Sequence, residues 1–252
     1  EWNSTFGYER LTGSLPDRLP VDAAELDNRP APPSLRERCR EDSMTDTRWI
    51  ALDWGTSHLR AWLMDEDDHP LARRDSDRGM STLTPEGYEP ALLDLIGDAL
   101  PQSGPVPVIC CGMAGARQGW AEAPYRSTPC QPPTLAAARR APTGDPRLDV
   151  RILPGVQQAS PADVMRGEET QIAGVLAERP GFDGVLCLPG THSKWVHVSA
   201  GEIVAFRTFM TGELFALLAG HSVLRHSIAA EGWEAAAFAA SVEDGLSHPA
   251  RF

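Results

Sequence analysis

An α/β protein built from two copies of one unit, each a mixed sheet flanked by helices, is predicted by three observations. First, two apolar strands far apart in the chain run into tight turns of one design. One reads Trp49-Ile50-Ala51-Leu52-Asp53-Trp54-Gly55-Thr56-Ser57, the other Val185-Leu186-Cys187-Leu188-Pro189-Gly190-Thr191-His192-Ser193. Second, each turn leads straight into another strand, with Trp62 and Trp195 expected to point inward. Third, helical spacing returns between the β stretches, as in Tyr88, Leu92, Leu95, Ile96 and Ala99. Glycine lets backbone N–H groups approach an anion, and neighbouring Thr and Ser hydroxyls add donors. Two such hairpins predict two halves gripping one polyphosphate from opposite sides.

The elements follow in order. Residues 1–43 lack sustained periodicity and are rich in Pro, Arg, Asp and Glu, so they are expected to be a disordered, non-family leader, with Met44 as the natural start. The alternative is a small helical cap using Leu19 to Leu26. Strand, turn and strand run from Trp49 to Met64, and a charged turn at Asp65 to Pro70 leads to a third strand. Thr84-Pro85-Glu86 starts a helix, with Thr as N-cap and Pro in the first turn. Val106 to Cys111 is a buried strand emptying into Gly112-Met113-Ala114-Gly115, and residues 129–149 form a surface excursion. Residues 151–156 close a first unit, 44–156. The second, 157–252, has a helix from Arg166 to Ala177, the Val185 hairpin, a strand from Ile203 to Phe209, and a helix capped by Thr211. Leu214, Leu217 and Leu218 of that helix are expected in the core. Lacking closing strands, this unit is expected to be incomplete at its C-terminus.

Composition narrows the partners. The chain has 252 residues, 42% hydrophobic, with a net charge of −12 and basic residues scattered rather than clustered. An acidic surface argues against nucleic acid or an anionic membrane as the main partner. No run of about 18 apolar residues is present to span a bilayer. Five cysteines without metal-ligand spacing fit buried thiols in a reducing cytoplasm. Of 23 basic residues only Lys194 is a lysine, and it lies in the second glycine turn. An ammonium there would serve as a point-charge phosphate ligand, or it is an ordinary surface lysine.

Asp-x-Gly-Thr-Ser repeated as Gly-Thr-His-Ser resembles the two phosphate loops of the actin-like ATPase (ribonuclease H-like) superfamily, which includes sugar kinases. Five segments in order sharpen this. Residues 50–60, Cys111-Gly112-Met113-Ala114-Gly115-Ala116-Arg117-Gln118-Gly119-Trp120, Val164-Met165-Arg166-Gly167-Glu168-Glu169-Thr170-Gln171, residues 188–196 and Phe209-Met210-Thr211-Gly212-Glu213-Leu214-Phe215 together resemble the 2-dehydro-3-deoxygalactonokinase family. The resemblance covers Met44 to about Ile228. It implies transfer of phosphate from ATP, with Mg²⁺, to the terminal (6-) hydroxyl of a six-carbon sugar acid, 2-keto-3-deoxygalactonate, in galactonate breakdown. Full-length relatives continue past this chain's end, into the region expected to hold the adenosine. The 252-residue chain is therefore expected to bind ATP poorly.

The residues suit that chemistry. Phosphoryl transfer needs positioning, charge neutralisation and a base beside the attacking hydroxyl. Asp53, at a strand end beside Gly55, is placed to hold Mg²⁺ or its water shell; otherwise it caps a turn. Gly55, Thr56 and Ser57 form the first phosphate loop, and Gly190, Thr191, His192, Ser193 and Lys194 the second. Glu168 and Glu169 begin a helix, where a carboxylate is stabilised as the anion. Similar sugar kinases carry a Gly-Asp pair there whose Asp is the base, and Gly167-Glu168 aligns with it. Glu168 is thus preferred over Glu169, and the plainer alternative is that both merely suit the helix dipole. Recognition of a sugar-acid carboxylate calls for an arginine fork. Arg117 is the first candidate, with Gln118 for hydroxyls and Trp120 for a sugar face; Arg166 is the second. Two other classes stay open, a non-catalytic module that binds sugar acid or nucleotide and a phosphatase-type hydrolase on the same fold.

Overall fold

The computed structural model describes residues 47–102, 104–228 and 232–248; the leader expected over 1–43 lies outside them. Its main sheet has six strands in the order β3-β2-β1-β4-β7-β6. These are β1 (Trp49–Trp54), β2 (Leu59–Met64), β3 (Pro70–Ser76), β4 (Val106–Gly112), β6 (Arg139–Arg140) and β7 (Leu148–Ile152). β1, β4 and β7 are parallel neighbours, while β2, β3 and β6 join antiparallel. Alternation drives this arrangement. Ile50, Leu52 and Trp54 of β1 and Leu59, Ala61 and Leu63 of β2 are buried on one face. Helix α1 (Tyr88–Ile96) covers that face with Tyr88, Ala91, Leu92 and Ile96. The opposite face of β1 and β2 is left to Asp53 and Arg60, which are register partners. The charged turn is fixed by Asp65, whose carboxylate accepts from the backbone N–H of Asp67 at 2.9 Å and of His69 at 2.8 Å.

The inward tryptophans are not the ones expected. Trp62 is half-buried, with the Arg73 guanidinium 5.6 Å from its ring, and Trp195 is exposed. The pleat sends both to the face opposite their buried neighbours. The indole that enters the core is Trp54, tilted against Tyr88 at 4.7 Å.

Two three-stranded sheets follow. One has the order β5-β8-β9, from β5 (Arg126–Ser127), β8 (Val156–Ala159) and β9 (Ala162–Met165). The other is the meander β10 (Gly184–Leu188), β11 (Ser193–Ser199) and β12 (Glu202–Phe209). The buried amide of Gln158 joins them, donating to Phe206 O and accepting from Phe206 N, each at 2.9 Å. Val156, Met165, Ile172, Val196, Val198 and Ile203 pack the core between them. Ile172 belongs to α2 (Glu168–Glu178), close to the expected span.

By compactness, residues 190–192 and 210–252 separate from the rest of the chain. This second unit has α3 (Gly212–His221) and α4 (Ala235–Ser247), and neither helix buries a residue. Leu214, Leu217 and Leu218 are thus not core residues; they stand 45%, 45% and 38% exposed, because the described residues supply no apolar layer over them. Among the described residues no helix is long and apolar enough to cross a membrane.

Candidate active site

The first loop is a four-residue turn closed by a Gly55 N–H bond to His58 O at 2.8 Å. Thr56, Ser57 and His58 are exposed at its tip. A second segment braces it from below. Met80 N donates to Gly55 O at 3.0 Å, Ser81 N to Thr56 O at 2.9 Å, and the Trp54 indole to Arg78 O at 3.1 Å. Gly79 sits so close that a Cβ would lie 2.3 Å from the Ser57 carbonyl carbon and 2.4 Å from Thr56 O. Only glycine admits this approach. The sequence reading missed this brace, since one Gly in a charged stretch carries no periodic signal.

Asp53 ends β1 with its carboxylate 2.9 Å from Arg60 Nη1 on β2. Its parallel neighbour is Cys111, at the end of β4. There the chain turns at Gly112, with φ 88°, and a Cβ would meet Trp54 O at 2.6 Å. Gly167, with φ 107°, reaches the same place and would put a Cβ 3.4 Å from Gly112 Cα. Positive φ at both positions calls for glycine. Their meeting brings the N-terminus of α2 against the carboxyl ends of β1 and β4, beside the strand that carries Asp53. Carboxyl ends of parallel strands are where open α/β sheets place ligands.

At this acid turn the two glutamates differ. Glu168 is half-buried and accepts from Arg166 N at 2.9 Å. Glu169 is 1% exposed, and both its oxygens accept from Gly167 N, at 2.9 and 2.7 Å. Burial pushes the Glu169 carboxyl up to about 8, against the opposing pull of those backbone N–H groups and of Arg166. The expectation of ionised carboxylates therefore fails for Glu169, because desolvation outweighs the helix terminus. Burial also pushes the neighbouring Cys110 and Cys111 thiols up.

The second loop has a different setting. Gly190 and Thr191 are exposed, and α3 abuts them: Glu213 N donates to Thr191 O at 2.9 Å, and His192 Nε2 lies 2.6 Å from Glu213 Oε2. Ser193, by contrast, is buried where β11 begins. Lys194, expected as a phosphate ligand, is engaged elsewhere in this structure. Its ammonium is buried, donates to Val164 O at 2.7 Å and Thr208 Oγ1 at 2.6 Å, and lies 3.9 Å from Asp163 Oδ1. Two hydrogen bonds and this ion pair join β11 and β12 to β9.

The loop after β4 separates the sugar-acid candidates. Arg117 and Gln118 are exposed at its tip. Trp120 is 6% exposed, stacked on Tyr88 at 5.9 Å, with its indole N–H donated to Pro142 O at 3.1 Å. Its face is spent on the core, so the sugar-stacking role is withdrawn. Arg166 is buried against Tyr125 and donates to Ala123 O at 2.8 Å, so it presents no free fork to a carboxylate.

The model of the 2-keto-3-deoxy-galactonokinase family matches residues 53–252, beginning at Asp53. The chain belongs to this family. A Rhizobium meliloti (strain 1021) member assigned as probable 2-dehydro-3-deoxygalactonokinase DgoK1 is 45% identical over 201 residues, 79% of this chain and 65% of the relative. The Escherichia coli (strain K12) 2-dehydro-3-deoxygalactonokinase is 38% identical over 205 residues, 81% of this chain and 67% of its own length. The crystal structure of a protein from Sinorhizobium meliloti, assigned as 2-dehydro-3-deoxygalactonokinase, superposes with a TM-score of 0.71 at 41% identity, covering 80% of this chain and 67% of that one. The chain thus spans about two thirds of the length of the family members it matches.

Proposed function

We propose that this chain carries the sugar-acid side and the acid turn of an ATP-dependent kinase. Its acceptor is the terminal hydroxyl of 2-keto-3-deoxygalactonate, in galactonate catabolism. The observation that carries this reading is the convergence of Asp53, Gly112 and the acid turn 167–169 at the carboxyl ends of β1 and β4. Family membership supplies the substrate class.

In the proposed reaction, the sugar hydroxyl oxygen forms a bond to the γ-phosphorus while the bridging oxygen to the β-phosphorus leaves with ADP. The hydroxyl proton passes to Glu168 and then to solvent. Glu168 is preferred because it is half-exposed at the turn, whereas Glu169 is buried beneath it. Gly55, Thr56 and Ser57 are assigned to phosphate, and so are Gly190, Thr191 and His192. Arg117 and Gln118 are assigned to the sugar acid. Asp53 suits Mg²⁺, a hard cation satisfied by one carboxylate, phosphate oxygens and water; its own carboxylate is partly exposed and pairs with Arg60 across the strand pair. The ion would neutralise charge on the transferred phosphoryl group.

The wider arrangement we propose is the actin-like duplicated fold. Residues 44–156 form the first copy and 157–252 part of the second, and each carries one phosphate loop. The cysteines of the described residues are all unpaired, which fits the cytoplasm. Asp53→Asn tests the assignment in a protein carrying this chain at the full length of its relatives. Loss of MgATP-dependent sugar-acid phosphorylation with an unchanged circular-dichroism spectrum is expected; full activity at saturating Mg²⁺ would make Asp53 a turn residue only.

A further inference from the structure

We propose that Arg166 is a positioning residue, a brace that locks the loop 113–125, with Arg117 and Gln118 at its tip, to the acid turn 167–169. The inference rests on the sugar-acid assignment made above. Arg166 is 8% exposed and stands between β9 and Gly167. Its guanidinium lies 4.2 Å from the centre of the Tyr125 ring, donates through Nη2 to Ala123 O at 2.8 Å, and reaches Tyr125 Oη from Nε at 3.4 Å. Its backbone N–H is held by the Glu168 carboxylate at 2.9 Å. One residue therefore grips the end of the loop with its side chain and the base with its main chain.

The surroundings are shaped for this group. A Cβ on Gly115 would lie 2.6 Å from Arg166 Nη1, and a Cβ on Gly155 would lie 2.7 Å from the Tyr125 ring. Gly115 thus leaves room for the guanidinium, beside Ile152 and Ala123, and Gly155 for both the Met165 carbonyl, 2.6 Å from its would-be Cβ, and the ring the guanidinium stacks on. The fit also leaves a cost, because Nη1 is buried without a hydrogen-bond partner. An unmet donor on a buried cation disfavours folding, and an apolar side chain would fill the same space without that penalty. Packing alone does not explain an arginine here. A rigid planar fork that ties two segments of one site does, and an ammonium cannot copy its stacked geometry.

The test combines calorimetric titration with 2-keto-3-deoxygalactonate and amide hydrogen exchange over residues 113–125. It uses the wild-type chain, Arg166→Ala, Arg166→Lys and Gly115→Ala. Gly115→Ala presses on the guanidinium without removing it, which keeps the test open should Arg166→Ala misfold. Arg166→Ala and Gly115→Ala are each expected to weaken sugar-acid binding by about tenfold or more and to speed exchange in 113–125, with exchange in β10–β12 unchanged. Guanidinium ion at millimolar concentration, against a potassium control, should restore both readouts in Arg166→Ala, and Arg166→Lys should restore neither. Unchanged affinity in Arg166→Ala, full affinity in Arg166→Lys, or weakened binding with no change in loop exchange would each overturn the brace. If the wild-type chain binds no sugar acid, the substrate assignment fails. The brace is then decided by loop exchange and its guanidinium rescue alone, and unaltered exchange would reject it.

Discussion

The two glycine hairpins share a turn length and a hydroxyl-bearing tip, yet they are supported in opposite ways. The first grows from β1, at the centre of a six-stranded sheet, and rests on the backbone of Gly79 to Ser81. The second grows from β10, the edge of a three-stranded meander, and its tip meets α3, whose apolar side chains are exposed. The first also bears a carboxylate two residues before its glycine, Asp53, where the second has Leu188. Similar loops can therefore differ in chemistry and in how firmly they are held. Local sequence sets the turn; the layer beneath it sets its rigidity.

The largest expected effect separates the two supports. Gly79→Ala forces a Cβ into the backbone of Thr56, Ser57 and His58, and should cost about 3 kcal/mol or more. Gly212→Ala meets Gly190 O at 2.6 Å, but its exposed helix can give way, so about 1 kcal/mol is expected. Urea unfolding of both variants measures the difference, and equal losses would erase the contrast. Next, two tryptophans reverse the burial expected of them, Trp120 having been expected against a sugar face and Trp195 inward. Trp120→Ala should cost about 3–5 kcal/mol as a core truncation, whereas Trp195→Ala should lie within about 0.5 kcal/mol of wild type. Thermal unfolding of each would show it, and a comparable loss from Trp195 would mean that its face is covered in solution.

Lys194→Met sharpens the account of the second hairpin. Removing the ammonium takes away the cation beside Asp163, whose carboxylate keeps the Thr208 hydroxyl and the Val164 N–H, and about 3 kcal/mol of destabilisation is expected. In a protein carrying this chain at the full length of its relatives, nucleotide-dependent stabilisation, corrected for the lower starting point, should persist, since Lys194 is occupied by Val164, Thr208 and Asp163. Its selective loss, seen as a vanished thermal shift with MgATP, would return Lys194 to the phosphate site.

The acid turn adds a pH dependence. Burial holds the folded Glu169 carboxyl at about 8, well above the 4.5 of an ordinary glutamate. The fold therefore favours the protonated form, so stability is full below about 4.5 and falls as pH rises toward 8, by at most about 5 kcal/mol. Glu169→Gln removes the titrating group. Its stability should be flatter than wild type over that window and exceed it at the alkaline end. Parallel stability curves for the two proteins would place an ionised carboxylate there instead.

Strand periodicity carried most of the fold. The alternation in β1 and β2, the Tyr88–Leu92–Ile96 stripe of α1 and the acid start of α2 were all legible, because each depends on neighbours close in sequence. Trp62 and Trp195 were misjudged because strand parity, not side-chain type, decides which face a residue takes. The exposed leucines of α3 show the converse limit, since an apolar stripe identifies a face but not what lies over it. Asp53 and the glutamate pair drew attention through their motifs, while Gly79 beneath the first loop and the Gln158 bridge to Phe206 were not legible. Both depend on contacts between distant segments that leave no local pattern. Burial likewise reversed the expected charge of Glu169, a property of the folded environment and not of its helix position.

The most direct test follows phosphorus by NMR in a protein carrying this chain at the full length of its relatives, given MgATP and 2-keto-3-deoxygalactonate. Wild type should convert the γ-phosphate into a phosphate monoester on the terminal carbon of the sugar acid. Glu168→Gln should slow this by about 100-fold or more, as expected for loss of a general base, with sugar-acid affinity retained. Inorganic phosphate as the product, or a Glu168→Gln rate equal to wild type, would contradict the assignment of the acid turn beside Asp53 to phosphoryl transfer.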